Sequence, residues 1–436
     1  MRIFILIATA SLCAWAQTDS LRVSLHAAMD AARKTGTQGQ LAESRVREAQ
    51  ARIDEAKSAL LPTFGATASD VIRSYNYAAM LPPSMLKGMH LQSNLIELNH
   101  VQDARLNARI TLLNFAAWKR FATAKTSSTV AQIEYEAVTD GVAFLAGDAW
   151  LNLAKSRALI QSQQNRLQIA MRIDSITNQQ IAAGSATQFD LIRSQGLVVA
   201  ARAAIDLAAG TEQTAEINLQ RALGLSMGSH LVLADSLAIP TGMEPEGQVD
   251  SLVAHALLER PEIQTAERRI QVAENEASAL SAENYPTLDL AADYGASAYQ
   301  FGSNEFTKTI ALQATWSIWD GGRRSSRKVQ QSEKIKQATL QLQDARYSIE
   351  QEVRTSHAQM LISVKMLATA RERSSLAHEE LELAQQRFQS GMSGLLDVIN
   401  AQNNQSLVDD SVIDAIYRYN QAHLYFLKAT HHLDTL

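Results

Sequence analysis

Prolines are confined to positions 62, 82, 83, 240, 245, 261 and 286, so residues 84–239 and 287–436 run without one. Proline removes a backbone donor and clashes inside a helix, so breaker-free runs of that length favour very long helices. Composition narrows the class further. With 46% hydrophobic residues the chain is neither collagenous nor a low-complexity disordered polymer. A net charge of −5, from 40 Lys and Arg against 45 Asp and Glu, gives no basic footprint for nucleic acid.

The first sixteen residues read as an export signal, with Arg2 as the charged start, Ile3 to Leu12 as the apolar run and Ala14-Trp15-Ala16 as the cleavage site. Cleavage leaves Gln17 first and removes Cys13, the single cysteine, and with it any disulfide, thiolate ligand or thiol nucleophile. Lipid attachment at Cys13 is the competing reading, and Leu12 is bulky where such a signal wants a small residue. No later segment approaches the ~20 continuous apolar residues of a membrane-spanning helix.

Self-similarity organises the rest. At an offset of 224, Ala49, Pro62 and Thr63 fall on Ala273, Pro286 and Thr287; at 206, Ala108 falls on Ala314; at 207, Gly184 and Asp190 fall on Gly391 and Asp397. Two copies follow, at 17–225 and 251–436, joined by a linker at 226–250. Each predicts helix, strand, strand, long helix, helix. The helices are expected over 38–61, 115–183 and 187–222, then 262–284, 322–390 and 395–431. The strands are expected over 64–77 and 99–113, then 287–300 and 306–319.

Period-two alternation carries the strands. Leu106 and Ile110 alternate with Arg105, Asn107 and Arg109, and Leu312, Ala314, Trp316 and Ile318 alternate with Gln313, Thr315 and Ser317. Strands of roughly this length, close to the ~9–11 residues that cross a bilayer at a tilt and apolar on one side and polar on the other, suit a barrel wall between lipid and water. Four strands cannot close such a barrel, and an open edge in lipid leaves backbone groups unsatisfied, so copies must pool their strands; two copies give eight and three give twelve. In the long helices, Ile335, Ala338, Leu342, Ala345 and Ile349 step by three and four, as do Val138, Val142, Leu145 and Ala149, which is coiled-coil spacing.

Pro62-Thr63-Phe64 and Pro286-Thr287-Leu288, the junctions Leu113-Asn114-Phe115 and Trp319-Asp320-Gly321-Gly322-Arg323, the turns from Gly184 to Asp190 and Gly391 to Asp397, and Arg260-Pro261-Glu262 together resemble the outer-membrane efflux protein (TolC) family. The resemblance implies a mainly α chain with a membrane β-barrel, assembled as a homotrimer whose twelve strands form the barrel and whose helices continue it as a periplasmic tunnel. It also implies the outer membrane of a Gram-negative bacterium, and a periplasmic adaptor (membrane fusion protein) with an inner-membrane transporter of RND, ABC or MFS type as partners. By position, Gly184, Thr187, Asp190, Gly391 and Leu395 match the helix tips where adaptors dock, and Asp397 matches the channel constriction. Asn400 stands where the family often has a second acid, which weakens the expected ring of charge. Leu106, Ile110, Leu312, Ala314, Trp316 and Ile318 are the expected lipid face.

The scattered histidines, the His378-Glu379-Glu380 run and the glycine pair at 321–322 match no metal, protease or phosphate-loop pattern. The expectation is a passive duct with no cofactor and no catalytic residues. The competing class is a soluble exported coiled-coil scaffold, which membrane fractionation separates from it.

Overall fold

The computed structural model describes residues 21–76, 82, 84–85, 95–239, 248–298 and 305–433. The signal segment with Cys13, and the Leu81-Pro82-Pro83-Ser84 insertion apart from Pro82 and Ser84, lie outside them. The elements are β1 (Leu21–Val23), α1 (Leu25–Thr35), α2 (Thr37–Ser58), β2 (Thr63–Asn76), β3 (Leu95–Leu113), α3 (Phe115–Ala182) and α4 (Gln188–Leu223). They continue as β4 (Leu231–Leu233), α5 (Val249–Glu259), α6 (Pro261–Ala282), β5 (Thr287–Ala298), β6 (Glu305–Thr315), α7 (Arg323–Gln389) and α8 (Leu395–Ala429). The chain forms two compact units: one takes in residues up to Glu43, Tyr135–Ile263 and the chain from Ala345, the other Ser44–Glu134 and Gln264–Asp344.

The second unit holds an antiparallel sheet in the order β2-β3-β5-β6. Register puts Ala66, Leu106, Tyr294 and Lys308 in one row and Ala68, Ala104, Ala296 and Phe306 in the next. Because side chains alternate, even-numbered residues over most of each strand share one face. Phe64, Leu106, Ile310 and Leu312 stand out from it with 64–81% of their surface exposed.

The opposite face is polar and internally bonded. Arg105 crosses from β3 to β5, donating from Nε to Asp103 (2.8 Å), from Nη1 to Asp293 (2.6 Å) and from Nη2 to Ser297 (3.0 Å). Gly295 lies opposite Arg105 and leaves room for this path, since a Cβ there would come within 2.2 Å of the Ala104 carbonyl oxygen and 2.5 Å of Arg105 Cγ. A sheet apolar on one side and charge-networked on the other has the two-sided character expected of a barrel wall.

The strand at 306–319 ends earlier than expected, at Thr315, so Trp316 and Ile318 lie beyond β6 and off the strand face. The reason is local bonding at the turn into α7. Trp316 Nε1 donates to the Asn284 carbonyl (3.0 Å), and Arg324 binds Asp320 (3.0 Å) and the Glu283 carbonyl (3.1 Å). Two of these contacts supply donors to the Glu283 and Asn284 carbonyls just past the end of α6.

The first unit is built on α3, α4, α7 and α8. On α7, Ile349, Val353, Ser356, Met360, Ser363, Leu367, Ala370, Ala377, Leu381 and Phe388 are all buried. This continues the three-four seam read from Ile335, with one extra four-residue step at Val353 of the kind that locally unwinds a coiled coil. The seam of α3 is broader than expected. Val142 is buried but Leu145 is 61% exposed, while Ala143, Phe144, Ala146, Trp150 and Leu151 are buried instead. Elements absent from the sequence reading cause this: β1 pairs in parallel with β4 inside the supposed linker, and α1 packs beside them. Trp150 Nε1 donates to the Val23 carbonyl (2.9 Å), and Arg157 Nη2 donates to that of Leu231 (2.7 Å). Part of the 226–250 segment is therefore structured, through β4 and the start of α5.

Arg260, between α5 and α6, is 5% exposed and is held by two carboxylates. Its Nη2 lies 2.7 Å from Glu262 and its Nη1 2.5 Å from Glu352.

Candidate channel entrance at the helix tips

Each long helix returns through a short turn into the next helix, and the two turns close by the same device. Gly184 and Gly391 take φ of 73° and 70°, a left-handed conformation that glycine adopts without a Cβ penalty. At the first tip the Gly184 and Ser185 amides donate to the Ile181 and Gln180 carbonyls. At the second, Gly391 and Met392 donate to Phe388 and Arg387. This double bond pattern ends a helix by satisfying its last carbonyls.

The two tips differ at the helices that follow. Thr187 caps α4, its hydroxyl accepting from the Asp190 amide (3.2 Å), while the Asp190 carboxylate accepts from the Thr187 amide (3.0 Å) and hydroxyl (2.6 Å). Those hydrogen bonds hold the Asp190 carboxyl below its usual range. At the second tip Gly394 stands at the cap position and offers no side chain. Asp397 occupies the first turn of α8, is exposed, and makes no side-chain hydrogen bond or ion pair among the described residues. The repeat-equivalent aspartates thus have different fates: one is consumed in a capping box, and the other presents a free carboxylate. Asn400, one turn on, is also exposed.

Leu395 departs from expectation. As an adaptor-contact residue it should be accessible, yet it is 4% exposed. It packs with Ile173, Leu381, Phe388, Val398 and Ile399 beneath the tips, so it supports the turn from inside. The tips are joined there by Gln180 Nε2, which donates to the Phe388 carbonyl (3.1 Å). An open cavity of about 810 Å³ lies between them, lined in part by Arg172, Gln179, Asp190 and Ser393. The accessible apolar residues of the tips are Phe189, Ile192, Met392 and Leu396, 49–70% exposed. The sequence reading missed these four, although apolar residues beside a capping sequence, outside the buried periodicity, are a readable signal.

Of the expected lipid-face residues, Leu106, Ile110, Leu312 and Ala314 stand on the apolar side of β3 and β6; Trp316 and Ile318, as described, do not. Among the described residues no cluster of metal-ligating side chains occurs, and no helix is long and apolar enough to cross a membrane.

Known proteins share this architecture. The chain is 25% identical over 329 residues to the outer membrane protein OprJ of Pseudomonas aeruginosa, a match covering 71% of this chain and 64% of that protein, so somewhat less than two thirds of the relative is spanned. The solved outer-membrane channel OprN is similar in fold, with a TM-score of 0.78, 16% identity, and coverage of 93% of this chain and 89% of OprN. The outer membrane protein VceC of Vibrio cholerae gives a TM-score of 0.75 at 17% identity, with coverage of 93% and 95%. The sequence pattern of the family described as outer membrane efflux protein matches residues 38–225 and 252–430, the two copies read above and most of the chain. The chain therefore belongs to the outer membrane efflux protein family, a family of outer-membrane channels, and its place is the Gram-negative outer membrane.

Proposed function

We propose that three copies of the chain assemble as the outer-membrane duct of a tripartite export system. Their twelve strands close a barrel, and their helices line a passage into the periplasm. The observation that carries this reading is the four-stranded sheet with two unpaired edges, β2 and β6, and one exposed apolar face. An edge of that kind is stable in lipid only when another strand covers it. A periplasmic adaptor is the partner that fits the tips, where Phe189, Ile192, Met392 and Leu396 offer apolar contact around Gly184, Thr187 and Gly391. An inner-membrane transporter of RND, ABC or MFS type supplies the driving force, and the duct itself breaks no bonds.

In this assembly Asp397 is the charged group of the constriction. Three copies near a threefold axis concentrate cations and oppose anions. With Asn400 neutral and Asp190 locked to Thr187, little else at the tips adds to that ring. Purified protein in planar bilayers should therefore lose cation preference, and block by divalent cations applied from the helical side, when Asp397→Asn is made. Asp190→Asn should change both far less. Equal effects of the two substitutions, or none from Asp397→Asn, would place the constriction elsewhere.

A further inference from the structure

Where they join the sheet, α3 and α6 lie side by side and run in opposite directions. Asn275 Nδ2 donates to Thr126 Oγ1 (3.1 Å), Arg269 pairs with Glu134 (2.5 Å), and nearest the sheet the Phe115 and Tyr285 rings meet edge to face with centroids 5.4 Å apart. From those rings an open groove of about 940 Å³ extends along the two helices. Its walls include Phe115 and Lys119 from α3, with Ala277, Ser278, Ser281 and Tyr285 from α6 and the segment just after it.

The strand register gives the side of the sheet on which this groove opens. Thr111 and Asp289 pair on the polar side, where the Thr111 hydroxyl donates to the Asp289 carboxylate (2.7 Å). One extra residue, Leu112, then intervenes, and Leu113 stands opposite Leu288 on the apolar side. Phe115, two positions on, leaves the sheet on that same side. Trp118 and Lys119 follow Phe115 at helical spacings of three and four, so all three share one face of α3.

The chemistry of the groove changes along its length. Nearest the sheet, Phe115, Trp118 and Tyr285 are 45–62% exposed, and aromatic rings in that place suit the boundary between hydrocarbon and headgroups. Lys119 is one turn, roughly 6 Å, along α3 from Phe115, while Ser281 and Ser278 lie about one and two turns back from Tyr285. The Lys119 ammonium and both serine hydroxyls make no hydrogen bond or ion pair among the described residues. The arginines nearby are already committed: Arg120 and Arg327 both bind the Glu283 carboxylate, and Arg324 binds Asp320. The groove is therefore apolar and aromatic at its membrane end and presents a cation with two hydroxyl donors at its other end.

We propose that each such groove holds one anionic phospholipid of the inner leaflet, its acyl chains against Phe115 and Tyr285 and its phosphate at Lys119, Ser281 and Ser278. A phospholipid has both halves of this polarity in the order the groove has them, whereas a free anion would leave the aromatic end bare. Basic pockets between helices at a membrane surface bind anionic headgroups by the same attraction. The inference rests on reading the apolar face of the sheet as the lipid side, and adds to it a lipid site on the helices.

Native mass spectrometry of the full-length protein, purified in detergent and titrated with phosphatidylglycerol, tests it. Wild type should bind phosphatidylglycerol roughly fivefold more tightly than zwitterionic phosphatidylethanolamine, and inorganic phosphate should not displace it. Lys119→Gln should remove that preference, and Tyr285→Ala should weaken both lipids alike. Lys328→Gln, at an exposed lysine on α7 outside the groove, should change neither. A normally assembled protein whose preference survives Lys119→Gln, or falls as far with Lys328→Gln, would overturn the site while leaving the channel reading in place. Displacement by inorganic phosphate would overturn the lipid as occupant. A wild-type protein that does not fractionate with the outer membrane would remove the channel reading and the site together.

Discussion

Ile310→Arg and Leu312→Arg should nearly abolish assembled trimer in outer-membrane fractions, with Ala314→Arg milder, while Gln313→Arg and Thr315→Arg assemble normally. The first three residues lie on the apolar side of β6 and the last two on its polar side. An arginine facing lipid costs about 2–4 kcal/mol at mid-depth and about 0–1 kcal/mol near the interface. A trimer carries the cost three times. Ala314 is next to the strand end at Thr315 and so lies shallower. Heat-resistant trimer on gels is the readout, and equal assembly of all five variants would show that the face towards lipid is misassigned.

Arg260→Ala should lower stability by about 3 kcal/mol, read as a shift in the chemical or thermal unfolding midpoint followed by helical circular dichroism. Arg260 gives up charge-assisted pairs with two carboxylates, each worth about 1.5–3 kcal/mol when dry and less here, because the Glu262 and Glu352 side chains are 45% and 34% exposed and the charges left behind are solvated. Arg354→Ala, which breaks exposed pairs with Asp250 and Glu350, should cost less than about 1 kcal/mol. The pair also has a pH signature. Burial raises the Glu262 carboxyl, but its hydrogen bonds and charge attraction to Arg260 outweigh that and hold it below the ordinary value of 4.5. A carboxyl lowered on folding stabilises the protein above its unfolded pKa, and that contribution fades as pH falls through the lowered, folded value. The difference between wild type and Arg260→Ala should therefore be steady at neutral pH and shrink below about pH 4.5.

Much of the fold is legible because its signals repeat. Breaker-free runs set α3 and α7 to within a residue or two of their observed ends, and the glycine turns fix where each helix reverses. Alternation exposes β3, β5 and β6, whereas β2 reads less clearly because Asp70 stands on its apolar side and Val71 on its polar side. What escaped detection is short or tertiary in origin. β1 and β4 have three residues each and become strands only by pairing across about two hundred positions of sequence. The helices α1 and α5 are eleven residues each, at the same 224-residue offset as α2 and α6, so they are one further piece of the repeat that the anchors read in the sequence did not reach.

The candidate site is legible in part for the same reason. Position in the repeat identifies Asp190 and Asp397 as equivalents, but not their difference. That follows from Thr187 standing at one cap and Gly394 at the other, which leaves only Asp397 without a bonded partner among the described residues. Leu395 misleads because a residue next to a turn reads as surface, yet here it belongs to the buried periodicity of Val398, Ile399 and Ala401. Trp316 and Ile318 mislead for the opposite reason, since alternation persists past the point where the Trp316–Asn284 and Arg324–Asp320 bonds have already turned the chain.

In the proposed assembly three copies of this chain close one barrel from four strands each. Mass measurement of the protein extracted from outer membranes in mild detergent should find a single species of three chains; a monomer, a dimer, or recovery in the soluble periplasmic fraction would overturn the twelve-stranded barrel.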